Sequence, residues 1–263
     1  MDLGLKGKVA LVAASSRGLG RAIAEELGRE GAHLILCSRN EESITKAKNE
    51  LADLVEGKIV AVAANLSEAE GVNEVVQAGL NEFGRIDILV TNTGGPPSGT
   101  FDSLSQDQWD GAVQQNLNSV LNLTRAVLPG MKERKWGRIL NVTSISVKQP
   151  VDNLILSNSI RAAVTGFART LANEVATYGI TVNNVLPGYT RTERVEQLAD
   201  QIATAKGISA DEAIGTWEAQ IPMARIGEPR EFAAIFAFLA SERASYITGT
   251  SIPVDGGWIK SLL

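Results

Sequence analysis

Apolar and polar positions along this chain follow two rhythms that keep trading places. Short, nearly continuous apolar runs occur at Lys8–Ala13, His33–Cys37, Ile59–Ala63, Ile86–Val90, Arg138–Val142 and Ile180–Val185, the composition of strands buried on both faces. Between them apolar residues recur at helical spacing, as in Ile23 and Leu27, or in Ile160, Val164, Phe167, Leu171 and Val175. A last run, Ser251–Asp255, reads as a seventh strand. This alternation predicts an α/β fold, a single-domain Rossmann-like doubly wound parallel sheet of about seven strands with helices on both faces. No internal repeat or low-complexity segment interrupts it.

Composition narrows the picture. With 263 residues, 44% apolar and 21% charged, the chain can bury a full core as one domain over 1–263 with no linker. The longest apolar run near the C-terminus, Phe232–Ala240, is far short of the roughly 20 residues of a membrane span, and the N-terminus lacks a signal pattern. A cytoplasmic protein without a membrane partner is expected. Cys37 is the only cysteine, which excludes an intrachain disulfide and a thiolate zinc cluster, and no metal site is expected. A formal charge of −5 argues against a nucleic-acid surface.

The first strand runs into Ala13-Ala14-Ser15-Ser16-Arg17-Gly18-Leu19-Gly20 and then a helix. Unpaired N–H groups at the start of that helix, with its dipole, would hold a pyrophosphate, and Gly18 and Gly20 leave room for its approach. A glycine turn alone is a common feature. Its place after the first strand of an alternating sheet makes the phosphate reading stronger. Further along stand Thr91-Asn92-Thr93-Gly94 after the fourth strand, then Asn116, Ser144, Pro187-Gly188 and Asp255-Gly256-Gly257.

In their order and spacing these motifs resemble those of the short-chain dehydrogenase/reductase family, from about Gly7 to Gly257. The resemblance implies a dinucleotide cofactor held by Ser15, Ser16, Arg17, Gly18, Leu19 and Gly20, by Ser38 and Arg39, by Asn65 and Leu66, and by Asn92 and Gly94. Arg161, Pro187, Gly188 and Thr192 complete the set. Ala14 stands where the family usually has glycine, and a β-region φ there would accept alanine. Relatives that prefer NAD(H) place an acid at the end of the second strand, whereas Cys37-Ser38-Arg39-Asn40 offers none before Glu41. Arg39 and Arg17 either clamp a 2′-phosphate, which favours NADP(H) over NAD(H), or are plain solvated arginines. Asn65 replaces a usual aspartate, and its amide oxygen can still accept from the adenine amino group. The family's Asn-Asn-Ala-Gly is matched at Asn92 and Gly94, with Thr91 and Thr93 in the varied places. Gly95–Gly99 then forms a stiff loop, either bordering the substrate or simply on the surface.

In the family a tyrosine donates a proton to the carbonyl oxygen, a lysine four residues on lowers its pKa and holds the ribose, a serine binds the carbonyl and an asparagine continues the relay. Ser144 and Asn116 match the serine and asparagine. Thirteen residues after Ser144, where the tyrosine is expected, stands Ser157, and four further on, where the lysine is expected, stands Arg161. Arg161 can act as a fixed cation, but with a pKa above 12 it cannot relay a proton near neutrality. Ser157 is a much weaker acid than a phenol of pKa about 10, and losing general acid catalysis costs on the order of 10²–10⁴ in rate. His33, the only histidine, reads as structural, and Tyr178 and Tyr246 fall at structural places. Tyr189, after Pro187-Gly188, is either a substitute acid or a packing or substrate-contact residue.

The segment at about 190–223 corresponds to the family's substrate lid, with Leu198, Ile202, Ile208, Ile214 and Trp217 as apolar faces. It either encloses a ligand or packs only on protein. The helices at roughly 105–132 and 157–177 resemble those through which relatives form dimers or tetramers, and Ala162, Ala163, Gly166 and Ala168 allow close approach, so a homotetramer or homodimer is expected. Two functions remain open. One is an NADP(H)-dependent oxidoreductase acting on an alcohol or carbonyl of a small-molecule substrate, with an altered proton donor. The other is a weak or inactive NADP(H)-binding protein, serving as sensor, partner subunit or ligand binder.

Overall fold

A computed structural model describes residues 2–262. Seven strands, β1 Val9–Val12, β2 His33–Ser38, β3 Ile59–Ala63, β4 Ile88–Thr91, β5 Gly137–Val142, β6 Ile180–Pro187 and β7 Ser251–Val254, form one parallel sheet in the order β3-β2-β1-β4-β5-β6-β7. Order reverses between β1 and β4, and the crevice beyond their C-terminal ends is where open α/β sheets bind ligands.

The two-residue period of the strands explains why they read as continuous apolar runs. Ala10, Val12, Leu34, Leu36, Ile88, Val90, Leu140 and Val142 face one core, with Ile23 and Leu27 of α1 (Gly18–Arg29), Ile44 and Leu51 of α2 (Glu41–Ala52), and Phe232 and Phe236 of α9 (Pro229–Ala240). Val9, Leu11, Ile35, Cys37, Leu89 and Ile139 face the other, with Val72 and Val76 of α3 (Ala69–Phe83), Leu123 and Val127 of α5 (Ser119–Arg134), and Leu171 and Val175 of α6 (Ile155–Val175). Burial of each large side chain contributes roughly 1.5–3 kcal/mol, so both faces must be covered.

Three boundaries differ from expectation. Strand β4 begins at Ile88, because the buried Asp87 carboxylate accepts from Val9 N–H at 3.0 Å and pairs with Arg85 at 2.7 Å. The helix expected over 105–132 is instead α4 (Gln106–Val113), a π-turn at Gln114–Asn118, and α5. Helix α6 starts at Ile155, two residues before Ser157. The structural reading of His33 agrees with its contacts: it stacks on Phe83 at 5.2 Å and its Nδ1 accepts from Lys58 N–H. Among the described residues no helix is long and apolar enough to cross a membrane, and no cluster of three or more metal-ligating side chains is present.

Candidate functional site

At the end of β1 the chain turns sharply and enters α1. Arg17 precedes the helix in extended conformation without a side-chain cap, and the first turn carries no acid, so the leading N–H groups face outward unpaired. A Cβ on Gly20 would lie 2.2 Å from the Ala14 carbonyl oxygen and 2.8 Å from Asn92 Nδ2, while Gly18 has φ +58°. This glycine-shaped helix end, with open donors at the switch point, fits a dinucleotide pyrophosphate.

Several expectations for this cradle change. Ala14 does not take a β-region φ; at +49° it is left-handed, a conformation that costs an L-residue about 1–2 kcal/mol. The turn is held there by Ser15 N–H donating to Cys37 O at 3.0 Å and by Asn92 Nδ2 reaching Ala14 O at 3.4 Å. Ser15 is fully buried, its hydroxyl accepting from Cys37 N–H at 3.1 Å, so its side chain fastens β1 to β2. Burial also pushes the Cys37 thiol up to about 12. Arg17 pairs with Glu193 at 2.7 Å, whereas Arg39, exposed after β2, has no ion-pair partner among the described residues. Ser16, Leu19 and Leu66 are half-buried at the rim, and the Ser38 hydroxyl donates to Asn40 O. The Asn65 amide oxygen accepts from Ser67 N–H at 3.2 Å, and its nitrogen donates to Glu68 at 2.6 Å.

Around the ends of β4, β5 and α6 a second group converges. The N–H of Ser146 donates to the Ser144 hydroxyl oxygen at 3.1 Å, which leaves the Ser144 proton free to donate outward. Asn116 lies buried in the π-turn, its amide nitrogen donating to Ala112 O at 3.2 Å. Thr93, a position the sequence offered only as a variable place, donates to Asn116 Oδ1 at 2.7 Å. Arg161, 6% exposed, donates from NH1 to Val142 O at 2.6 Å and from NH2 to Thr93 Oγ1 at 3.5 Å. No carboxylate among the described residues pairs with it. Desolvation lowers its pKa to about 10, which amends the expected value above 12 and still leaves it cationic at neutral pH. Ser157, one helical turn before Arg161, is half-buried and its hydroxyl makes no hydrogen bond among the described residues.

Beyond β6, the glycine at 188 is required by packing: its Cβ would lie 2.7 Å from Asp255 Cα, and its N–H donates to Val254 O. Pro187 ends β6, and Thr192 caps α7 (Glu193–Lys206) while touching the space above Gly18. Tyr189 stacks on Trp217 at 5.0 Å and meets Trp258 edge-on at 6.5 Å, and burial raises its pKa. A raised phenol is a weaker acid. Helices α7 and α8 (Ala210–Glu218) close a small core of their own with Ala199, Ala213 and Trp217, against which Leu198, Ile202, Ile208 and Ile214 pack. Gly94 is exposed, its carbonyl accepting from Gln115, and Gly99 pairs with Leu154, which ties the 95–99 loop to the entry of α6.

Known proteins agree with this geometry. A family model described as Enoyl-(Acyl carrier protein) reductase matches residues 13–259. The 3-oxoacyl-(acyl-carrier-protein) reductase FabG of Vibrio cholerae is 37% identical over 97% of this chain and 98% of its own. L-sorbose reductase from Gluconobacter frateurii, solved with NADPH and L-sorbose, superposes with a TM-score of 0.96 at 34% identity, each chain fully covered. An actinorhodin polyketide ketoreductase with NADPH superposes at 0.91 and 32%, over 97% of this chain and 98% of its own.

Proposed function

The chain belongs to the short-chain dehydrogenase/reductase family, and on that premise we propose an NADP(H)-dependent oxidoreductase acting on an alcohol or carbonyl through an altered proton donor. The observation that carries this reading is Arg161, a buried cation with no carboxylate partner among the described residues, bonded to Val142 O at the end of β5, two residues before Ser144. A buried charge left unpaired is costly, and a nucleotide ribose is the partner that would repay it.

When bound, the dinucleotide supplies hydride chemistry at its nicotinamide. The chain's own residues do the rest. Gly18, Leu19 and Gly20 present N–H groups to the pyrophosphate, and Arg161 donates to ribose hydroxyls. Ser144 donates to the substrate oxygen. Ser157 offers a second hydroxyl where the family has its phenol, so the proton comes from a serine, from water ordered on it, or from the substrate's own hydroxyl. Tyr189 stacks on Trp217 and meets Trp258 edge-on. Packing of the α7–α8 lid suits it better than acid catalysis.

NADP(H) preference is supported by the unpaired Arg39, by the absence of an acid between Cys37 and Asn40, and by the NADPH complexes of the solved relatives. A homotetramer or homodimer is supported by the exposed face of Ala162, Ala163 and Gly166 on α6; Ala168 faces the core instead. A light-scattering mass of 27.9 kDa would contradict assembly.

A second reading, a binding protein without efficient turnover, is favoured by the isolated Ser157 hydroxyl. The two separate on one experiment. Ser157→Tyr with Arg161→Lys should raise NADPH-dependent turnover of a panel of aldehydes, ketones and quinones by about 10²-fold, and neither change alone should match it. NADPH binding with no turnover by wild type or by the double variant would leave the binding protein.

A further inference from the structure

We propose that Thr93 is a positioning residue that locks Arg161 and Asn116 into one bonded unit beneath the nicotinamide ribose. The proposal rests on the reading of Arg161 as the ribose-holding cation.

A threonine hydroxyl has one proton and two lone pairs. Here the proton goes to Asn116 Oδ1 at 2.7 Å, so the lone pairs remain for the Arg161 guanidinium, whose NH2 lies 3.5 Å away. Direction is thereby set along the whole chain of groups. Arg161 donates to Thr93, Thr93 donates to Asn116, and Asn116 donates to Ala112 O at 3.2 Å. The other arm of the guanidinium is pinned on Val142 O. Five segments meet in this network: the end of β4, α4, the π-turn, the end of β5 and α6.

Arg161 needs such a partner because no carboxylate among the described residues neutralises it, and a wide, flat guanidinium has more donors to satisfy than an ammonium. Val142 O and Thr93 are the acceptors that the protein provides. The resemblance puts alanine where Thr93 stands. An alanine would leave both NH2 of Arg161 and Oδ1 of Asn116 without this hydroxyl. Threonine at 93 and arginine at 161 therefore form a matched pair.

The test is a double-mutant cycle on Thr93→Val and Arg161→Met, with Thr93→Ser as the variant that keeps the hydroxyl. NADPH affinity is read by fluorescence titration and the melting temperature is read without cofactor. Thr93→Val should weaken NADPH binding by about 2–10-fold in the parent, and by less than about 2-fold in the Arg161→Met background. Thr93→Ser should stay close to the parent. Equal losses in both backgrounds, or a serine variant as damaged as the valine one, would overturn the proposal. Should the parent not bind NADPH at all, the cofactor reading fails separately. The cofactor-free melting temperatures then decide: a non-additive pair supports the Thr93–Arg161 link, and an additive pair refutes it.

Discussion

The proposed dinucleotide cradle at the end of β1 and the proposed carbonyl end near α6 tolerate sequence change in different ways. The cradle works through backbone: open N–H groups, a helix terminus and the close pass of Gly20 beneath Ala14 O. Side chains there can drift, and Ala14 remains in a left-handed conformation because the bonds on either side hold it. The carbonyl end works through side chains. Its backbone frame keeps Ser144, Asn116 and the α6 face together, yet Ser157 and Arg161 change what the frame can do. A backbone site survives substitution as geometry, whereas a side-chain site keeps its geometry and loses or alters its chemistry.

Gly20→Ala gives the largest expected effect. The new Cβ meets backbone atoms at 2.2 and 2.9 Å that have no flexible end to move aside. A loss of about 3 kcal/mol, or roughly 6–12 °C in melting temperature, is expected together with loss of NADPH binding. A melting temperature unchanged within about 2 °C would break the comparison, since the cradle would then be as plastic as the carbonyl end.

Arg161→Met should move stability and function in opposite directions. At about 1.4 kcal/mol per pKa unit, lowering Arg161 from 12.5 to about 10 marks a buried charge costing on the order of a few kcal/mol. The folded protein holds fewer protons than the unfolded chain between these values, so the penalty is full below pH about 10 and is relieved above it. Removing the charge should raise the cofactor-free melting temperature by about 2–4 °C and weaken NADPH about tenfold. In the parent, NADPH affinity should fall as pH rises through about 10, and the variant should lack that step. A variant that melts lower and binds NADPH as well as the parent would make Arg161 a structural residue.

Ala14→Gly should stabilise by about 0.5–1 kcal/mol, the left-handed strain released less the extra freedom of the unfolded chain, with NADPH affinity unchanged. Calorimetry showing destabilisation would mean that the methyl group packs usefully. The smallest effect is expected from Glu193→Gln, which frees Arg17 from an exposed ion pair. NADPH should bind more tightly by at most about 5-fold, with NADH unaffected. Equal gains for both cofactors would show that Glu193 acts on something other than the 2′-phosphate.

Much of the candidate site is readable in the sequence because it is local. The glycine turn, the missing acid after β2 and the serine and arginine one turn apart on a helix are statements about short segments. Thr93 escaped, since its value lies in the distance between β4, the π-turn and α6. The long helix expected over 105–132 concealed that turn, because a π-turn is defined by its i→i+5 backbone bonds and no residue type in the chain marks where they begin. Tyr189 stood as a candidate acid in the sequence, and only the fold stacks it on Trp217 and sets it edge-on to Trp258, 28 and 69 residues away in the chain.

By itself the amino-acid sequence determined the strand and helix order, the parallel sheet, the helix end that suits a phosphate and the identity of the groups at the proposed carbonyl end. These follow from hydrophobic period, glycine placement and residue type, all properties of neighbours along the chain. Only the tertiary structure decided that Ala14 is left-handed, that Arg161 is a buried cation leaning on Thr93, and that Glu193 holds Arg17. Each depends on desolvation or on a contact between segments distant in sequence, and those energies exist only once the sheet has brought the segments together.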